Sequence, residues 1–93
     1  METETKTFTF YSDPGHGWLE VDKKDLIELS LEDKISSFSY QSALENKVYL
    51  EEDCDATLFW KSYEAKYKTA MKHREIYIED NIFIRRLPSY ERR

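Results

Sequence analysis

Residues that carry special chemistry or special backbone geometry are scarce in this chain. Of 93 residues, one is Cys, two are His, two are Gly and two are Pro. The single Cys54 excludes an internal disulfide framework and fits a reducing compartment. With only His16 and His73 beside it, no zinc-ligand spacing can be assembled. Neither Ser12 nor Ser30 stands in a Gly-x-Ser-x-Gly elbow, and no glycine-rich phosphate loop is present. No cofactor is therefore expected. No apolar run approaches the ~18 residues of a membrane-spanning helix. Residues 1–6 lack the apolar centre of a signal peptide, so the expected setting is cytosolic, with no membrane partner.

Aromatic residues and charge are plentiful. Seven Tyr, five Phe and two Trp can each bury on the order of 150–250 Å². That offsets the small size of a domain expected to bury only about 60–65% of its unfolded surface. The 19 acidic and 14 basic residues are unevenly placed. Residues 1–60 carry 14 acids against 5 bases, and residues 61–93 carry 5 acids against 9 bases. An acidic body with a cationic last third follows.

Periodicity predicts a single compact α+β domain over residues 1–93, with 1–5 and 89–93 as loose tails. Residues 5–11 alternate as a half-buried strand, and residues 18–21 form a short second one. A helix is expected over 22–30, with Asp22 as cap, Asp25 at the capping-box position, and Val21 and Leu26 at hydrophobic-staple spacing. Residues 36–41 and 47–51 read as strands joined by a five-residue loop, with Phe38 and Tyr40 on one face. The strongest helix spans residues 55–73, carrying Ala56, Trp60, Tyr63, Tyr67 and Ala70 on one stripe and a Glu64–Lys68 pair. Residues 75–79 and 82–87 read as a terminal hairpin turning at Asp80 and Asn81. The expectation is a mostly antiparallel sheet of four to six strands with two helices packed on it.

Two segments concentrate the unusual residues. The first runs Ser12, Asp13, Pro14, Gly15, His16, Gly17, Trp18, Leu19; the second runs Tyr49, Leu50, Glu51, Glu52, Asp53, Cys54, Asp55, Ala56. In the first, the glycines supply positive φ to a turn that Trp18 anchors, or His16 is an exposed ligand or proton carrier. In the second, Asp53 or Asp55 caps the long helix, or Glu51, Glu52, Asp53 and Asp55 hold a hard cation. The spacing is not that of an EF-hand. Cys54 reads as a small packed residue whose flanking carboxylates oppose thiolate formation. A third candidate surface is basic: Lys68, Lys72, Arg74, Arg85 and Arg86, with aromatics nearby, could hold a nucleic-acid strand.

The segment Tyr11 to Val21, with residues 34–40 and 48–56, resembles a group of small proteins encoded by bacteriophages and prophages. The resemblance covers roughly residues 7–60 and carries no activity or catalytic residue. It implies a bacterial host cytosol and a partner that is a host or phage protein, including components of antiviral defence. The expected function is thus a non-enzymatic phage accessory protein. Its contact residues would be His16, Trp18, Glu51, Glu52, Asp53 and Asp55. A nucleic-acid-binding protein using the basic third, and a metal-dependent enzyme using His16 and residues 51–55, are the alternatives. Exposed strand edges also leave a homo-oligomer open.

Overall fold

A computed structural model describes residues 6–42 and 44–91. The order is β1 (Thr7–Ser12), β2 (Gly17–Asp22), α1 (Lys23–Glu28), β3 (Tyr40–Ser42), β4 (Lys47–Glu51), α2 (Asp55–Tyr67), β5 (Lys72–Tyr77) and a 3-10 turn (Phe83–Arg86). The strands form one sheet in the order β3-β4-β2-β1-β5. All neighbours are antiparallel except β1 and β5, which run parallel with Thr7 opposite Lys72 and Ser12 opposite Tyr77. The result is an α+β domain with an open mixed sheet and two helices, as the periodicity predicts.

Alternation along the strands gives the sheet two apolar faces. Phe8, Leu19, Val21, Val48 and Leu50 face the helices and pack with Leu26, Ala56, Phe59 and Tyr63. Trp18 and Tyr49 face the other way and are covered by Ile82 and Ile84, with Tyr11, Tyr40, Ile78 and Leu87 around them. The molecule therefore has three layers: helices, sheet, and a C-terminal strap.

The start of α1 follows its sequence signal. Asp25 Oδ2 accepts the Asp22 backbone N–H at 3.0 Å. Its end is a Schellman turn built without glycine. Ser30 takes φ 58, its N–H reaches the Ile27 carbonyl, and the Leu31 N–H reaches Leu26. Leu26 and Leu31 are both buried beneath that turn.

Five expectations fail. The long helix stops at Tyr67, not His73, because Lys68 enters the left-handed region (φ 55) and caps it through the Glu64 carbonyl. Glu64 does not reach for Lys68; its carboxylate accepts the Trp60 indole N–H (3.0 Å) and the Met71 amide (2.9 Å), tying the helix end to the next strand. The terminal hairpin does not form. Asn81 adopts left-handed φ as its type allows, but the chain then crosses the sheet face instead of returning beside β5. The apolar surface of Trp18 and Tyr49 is the better partner for Ile82 and Ile84. Strand β3 is limited to Tyr40–Ser42, since Ser36 and Ser39 turn inward to Asp55 and leave Phe38 69% exposed.

The last failure concerns the tail. Ser89 bridges Tyr40, the Gln41 N–H donates to the Pro88 carbonyl, and Tyr90 is buried with its hydroxyl donating to the Glu32 carbonyl. Residues 89–91 are part of the fold; residues 1–5, 43, 92 and 93 lie outside the described residues. Tyr90→Ala should therefore cost about 3 kcal/mol in urea unfolding. A loose tail would show no more than ~0.5 kcal/mol.

Candidate functional site

The two unusual segments meet at one end of the sheet. Strand β1 leads into the Asp13–Gly17 turn, and β2 leaves it beside the end of β4. The register sets Trp18 opposite Glu51, and one residue on the Glu52 N–H donates to the Gly17 carbonyl at 3.0 Å.

The first turn is organised by Asp13. Its Oδ1 accepts the backbone N–H groups of Gly15 and His16, both at 2.9 Å. Its two oxygens also accept from Arg85, Nε at 2.7 Å and Nη2 at 3.1 Å. The Arg85 guanidinium lies 5.1 Å over the Trp18 ring, and the His16 ring centre is 6.0 Å from Trp18. The fork-like Arg85 contact and the two backbone donors hold the Asp13 carboxyl well below the usual carboxylate range.

The glycines are not there for positive φ, as expected from the turn; neither adopts it. They are there for close approach. A Cβ on Gly17 would stand 2.5 Å from the Phe10 ring and 3.2 Å from Glu52 Oε1. One on Gly15 would stand 3.2 Å from Arg85 Nη2.

The second turn opens α2. Glu51 Oε1 accepts the N–H groups of Asp53 (3.0 Å) and Cys54 (3.1 Å), so Glu51, not Asp53 or Asp55, satisfies the donors before the helix. Asp55 is buried. Its Oδ2 accepts the Ser36 N–H (3.0 Å), the Ser36 hydroxyl (2.7 Å) and the Ser39 hydroxyl. Ser39 in turn accepts the Glu51 N–H at 2.9 Å. Cys54 is exposed at the N-cap and not packed as expected. Partial desolvation and the carboxylates of Glu51, Asp55 and Asp53 raise its thiol pKa, which keeps it protonated.

Of the six contact residues expected from the sequence, the structure thus brings His16, Glu51, Glu52 and Asp53 to one corner. His16 and Asp53 are exposed, and Glu51 and Glu52 are half-buried. Trp18 and Asp55 are buried and support that corner from behind; they are not part of its surface. With Asp55 turned inward, the four acids do not converge. Among the described residues no three of His, Cys, Asp and Glu are placed to hold a metal ion.

No protein-family model, curated protein or solved structure matches this chain.

The basic candidates are spread out. Lys68 caps α2, Lys72 and Arg74 lie on β5, and Arg85 and Arg86 lie on the strap. Arg74 Nε donates to Thr9 Oγ1 at 3.2 Å, and Arg85 is engaged by Asp13.

A second polar cluster escaped the sequence reading. Beside the start of α1, Asp22 bonds both Lys47 (2.7 Å) and Lys6 (2.8 Å), and next to them Glu20 accepts the Tyr49 hydroxyl at 2.9 Å. Lys6, Glu20, Asp22 and Lys47, with Thr9 and Arg74, line a depression of about 170 Å³. The signal for it was present: Glu20 and Asp22 alternate on β2, but only the register with β4 shows that Tyr49 and Lys47 lie opposite them.

Desolvation opposes ionisation of Asp22, but its bonds to Lys47 and Lys6 outweigh it and lower the pKa to about 2. The unfolded carboxyl titrates near 3.8. The folded state therefore binds fewer protons between those values. The stabilisation is complete above about pH 4 and is lost as the pH falls towards 2. Asp22→Asn should lower stability at pH 7 by about 1 kcal/mol and flatten the acid limb between pH 4 and 2 in urea titrations. At the corner, Gly17→Ala should cost about 1–3 kcal/mol in thermal unfolding, since Phe10 must move. An unchanged melting temperature would mean the approach is looser than the 2.5 Å contact implies.

Proposed function

We propose that this chain is a non-enzymatic accessory protein, of bacteriophage or prophage origin, that binds a host or phage protein through the corner where its two turns meet. The phage setting comes from the resemblance of the two motifs. The same resemblance points to inhibition of a host defence factor as the role. The observation that carries the reading is the Glu52–Gly17 bond, which fastens the exposed His16 turn to the acidic turn and presents both as one rigid surface.

Three features favour a recognition role for this corner. Its backbone is satisfied by its own carboxylates, so little ordering entropy is lost on docking. Glu52 and Asp53 lie in a chain of net charge -5, which steers a basic partner towards it. The Cys54 thiol is held away from its reactive form. The nucleic-acid reading is less favoured, because Arg85 already serves Asp13 and Trp18. The metal-enzyme reading is less favoured, because Asp55 is committed to Ser36 and Ser39.

The test is capture of a stoichiometric protein from nuclease-treated host lysate, repeated with Glu52→Lys/Asp53→Lys. The double reversal should weaken binding by at least about tenfold while leaving the melting temperature unchanged. Undiminished binding by that variant, or recovery of nucleic acid alone, overturns the proposal.

A further inference from the structure

The strap covers Trp18 and Tyr49, and beside them the sheet carries the depression lined by Lys6, Thr9, Glu20, Asp22, Lys47 and Arg74. Across it runs one row of directly paired residues: Arg74 on β5, Thr9 on β1, Glu20 on β2 and Tyr49 on β4. Side chains paired in this way share a face and interact. At about 170 Å³ the space is well below the ~300–1,000 Å³ of pockets for drug-sized ligands, so its occupant is small.

Five charged side chains line the depression. Lys6 and Lys47 are taken up by Asp22 and Asp25, at 2.7 to 2.8 Å, so those two bases are matched by two acids. Arg74 and Glu20 are left. Each is oriented by a neutral hydroxyl and not by an opposite charge. Arg74 Nε donates to Thr9 Oγ1 at 3.2 Å, which leaves the Nη1–Nη2 end of the guanidinium for a fork-like pair. Glu20 Oε2 accepts the Tyr49 hydroxyl at 2.9 Å, and its Oε1 has no partner among the described residues. Arg74 has no carboxylate partner among them. Thr9, only 6% exposed, stands between the two. Its oxygen accepts from Arg74, and its hydroxyl proton is still to be donated. The row therefore sets a donor fork, a hydroxyl donor and a carboxylate acceptor side by side.

We infer that this depression binds a small α-amino acid as its zwitterion. The carboxylate accepts from the Arg74 fork and the Thr9 hydroxyl, and the ammonium donates to Glu20 Oε1. A simple carboxylate would bring a like charge beside Glu20 and leave that residue uncompensated. A simple amine would do the same to Arg74. A ligand carrying both charges close together answers both ends of the row. The site is independent of the acidic corner, because Thr9 and Glu20 lie within β1 and β2, away from the two turns.

The test is a two-dimensional NMR titration of the full chain with glycine, acetate and methylammonium at constant ionic strength. Glycine should shift the Thr9, Glu20 and Arg74 amides and the Arg74 Nε–H saturably, with Kd on the order of 1 mM. Acetate and methylammonium should each bind at least about tenfold more weakly. Glu20→Gln, which keeps an oxygen for the Tyr49 hydroxyl, and Arg74→Gln should each weaken glycine binding at least about tenfold with unchanged melting temperature. Lys72→Gln, on the same strand but outside the depression, should bind glycine like the wild type, which separates the site from a general effect of charge. Shifts that stay linear through about 50 mM glycine overturn the inference. So does acetate or methylammonium binding as tightly as glycine, wild-type affinity in either the Glu20 or the Arg74 variant, or an equal loss in Lys72→Gln.

Discussion

Burial of Trp18 and Tyr49 on the sheet face away from the helices is the constraint on which the rest of the structure depends. Strands β2 and β4 carry apolar side chains on both faces, yet α1 and α2 cover only one. Two large aromatics of ~200 Å² each, at ~25 cal/mol/Å², are worth about 5 kcal/mol apiece in gross burial. That is comparable to the whole net stability of a domain this size. The C-terminal segment therefore cannot remain in solution. It crosses the face with Ile82 and Ile84 inward, and it continues past Pro88 to close the β3 edge. The strap also carries Arg85 to Asp13, so the turn at His16 is held by a residue 72 positions away.

The buried Asp55 plays the corresponding part on the helix side. Its carboxylate collects Ser36 and Ser39, and Ser39 passes a bond on to Glu51, so the loop before β3, the end of β4 and the first turn of α2 form one hydrogen-bonded unit. Removing one partner from such a buried cluster is costly because the others are left unpaired. The rigidity of the acidic turn thus derives from a carboxylate that is itself inaccessible. Trp18 does the same for the turn at His16. In both turns the residue most conspicuous in the sequence is the support, and the residues left on the surface are its plainer neighbours.

This explains what could be read in advance and what could not. Strand alternation in β1, β2 and β4 and the Asp22–Asp25 capping signal are local, and they appear where the spacing puts them. The fate of residues 68–78 is not local. Ala70 and Met71 continue the helical stripe of α2, while Lys72 onward alternates equally well as a strand. The deciding partner, β1, lies some 65 positions earlier, as the bond from Arg74 to Thr9 illustrates. Parallel pairing over such a distance leaves no turn signature between the two strands. The inward turn of Asp55 was equally hidden, since a helix-start acid followed by apolar residues looks like a cap whichever way it points.

The same register explains the distribution of charge. All strands run along one axis, and the end where β1 and β4 stop carries Glu51, Glu52 and Asp53, with Glu79 and Asp80 following β5. The opposite end carries Lys6, Lys47, Lys72 and the start of α1 with Lys23 and Lys24; of its acids, Asp22 and Asp25 are tied to Lys6 and Lys47, and Glu45 lies in the turn before β4. Among these residues acid and base are therefore separated along the strand axis. That separation leaves the acidic turn facing solvent beside the exposed His16, at the end of the sheet away from the lysines.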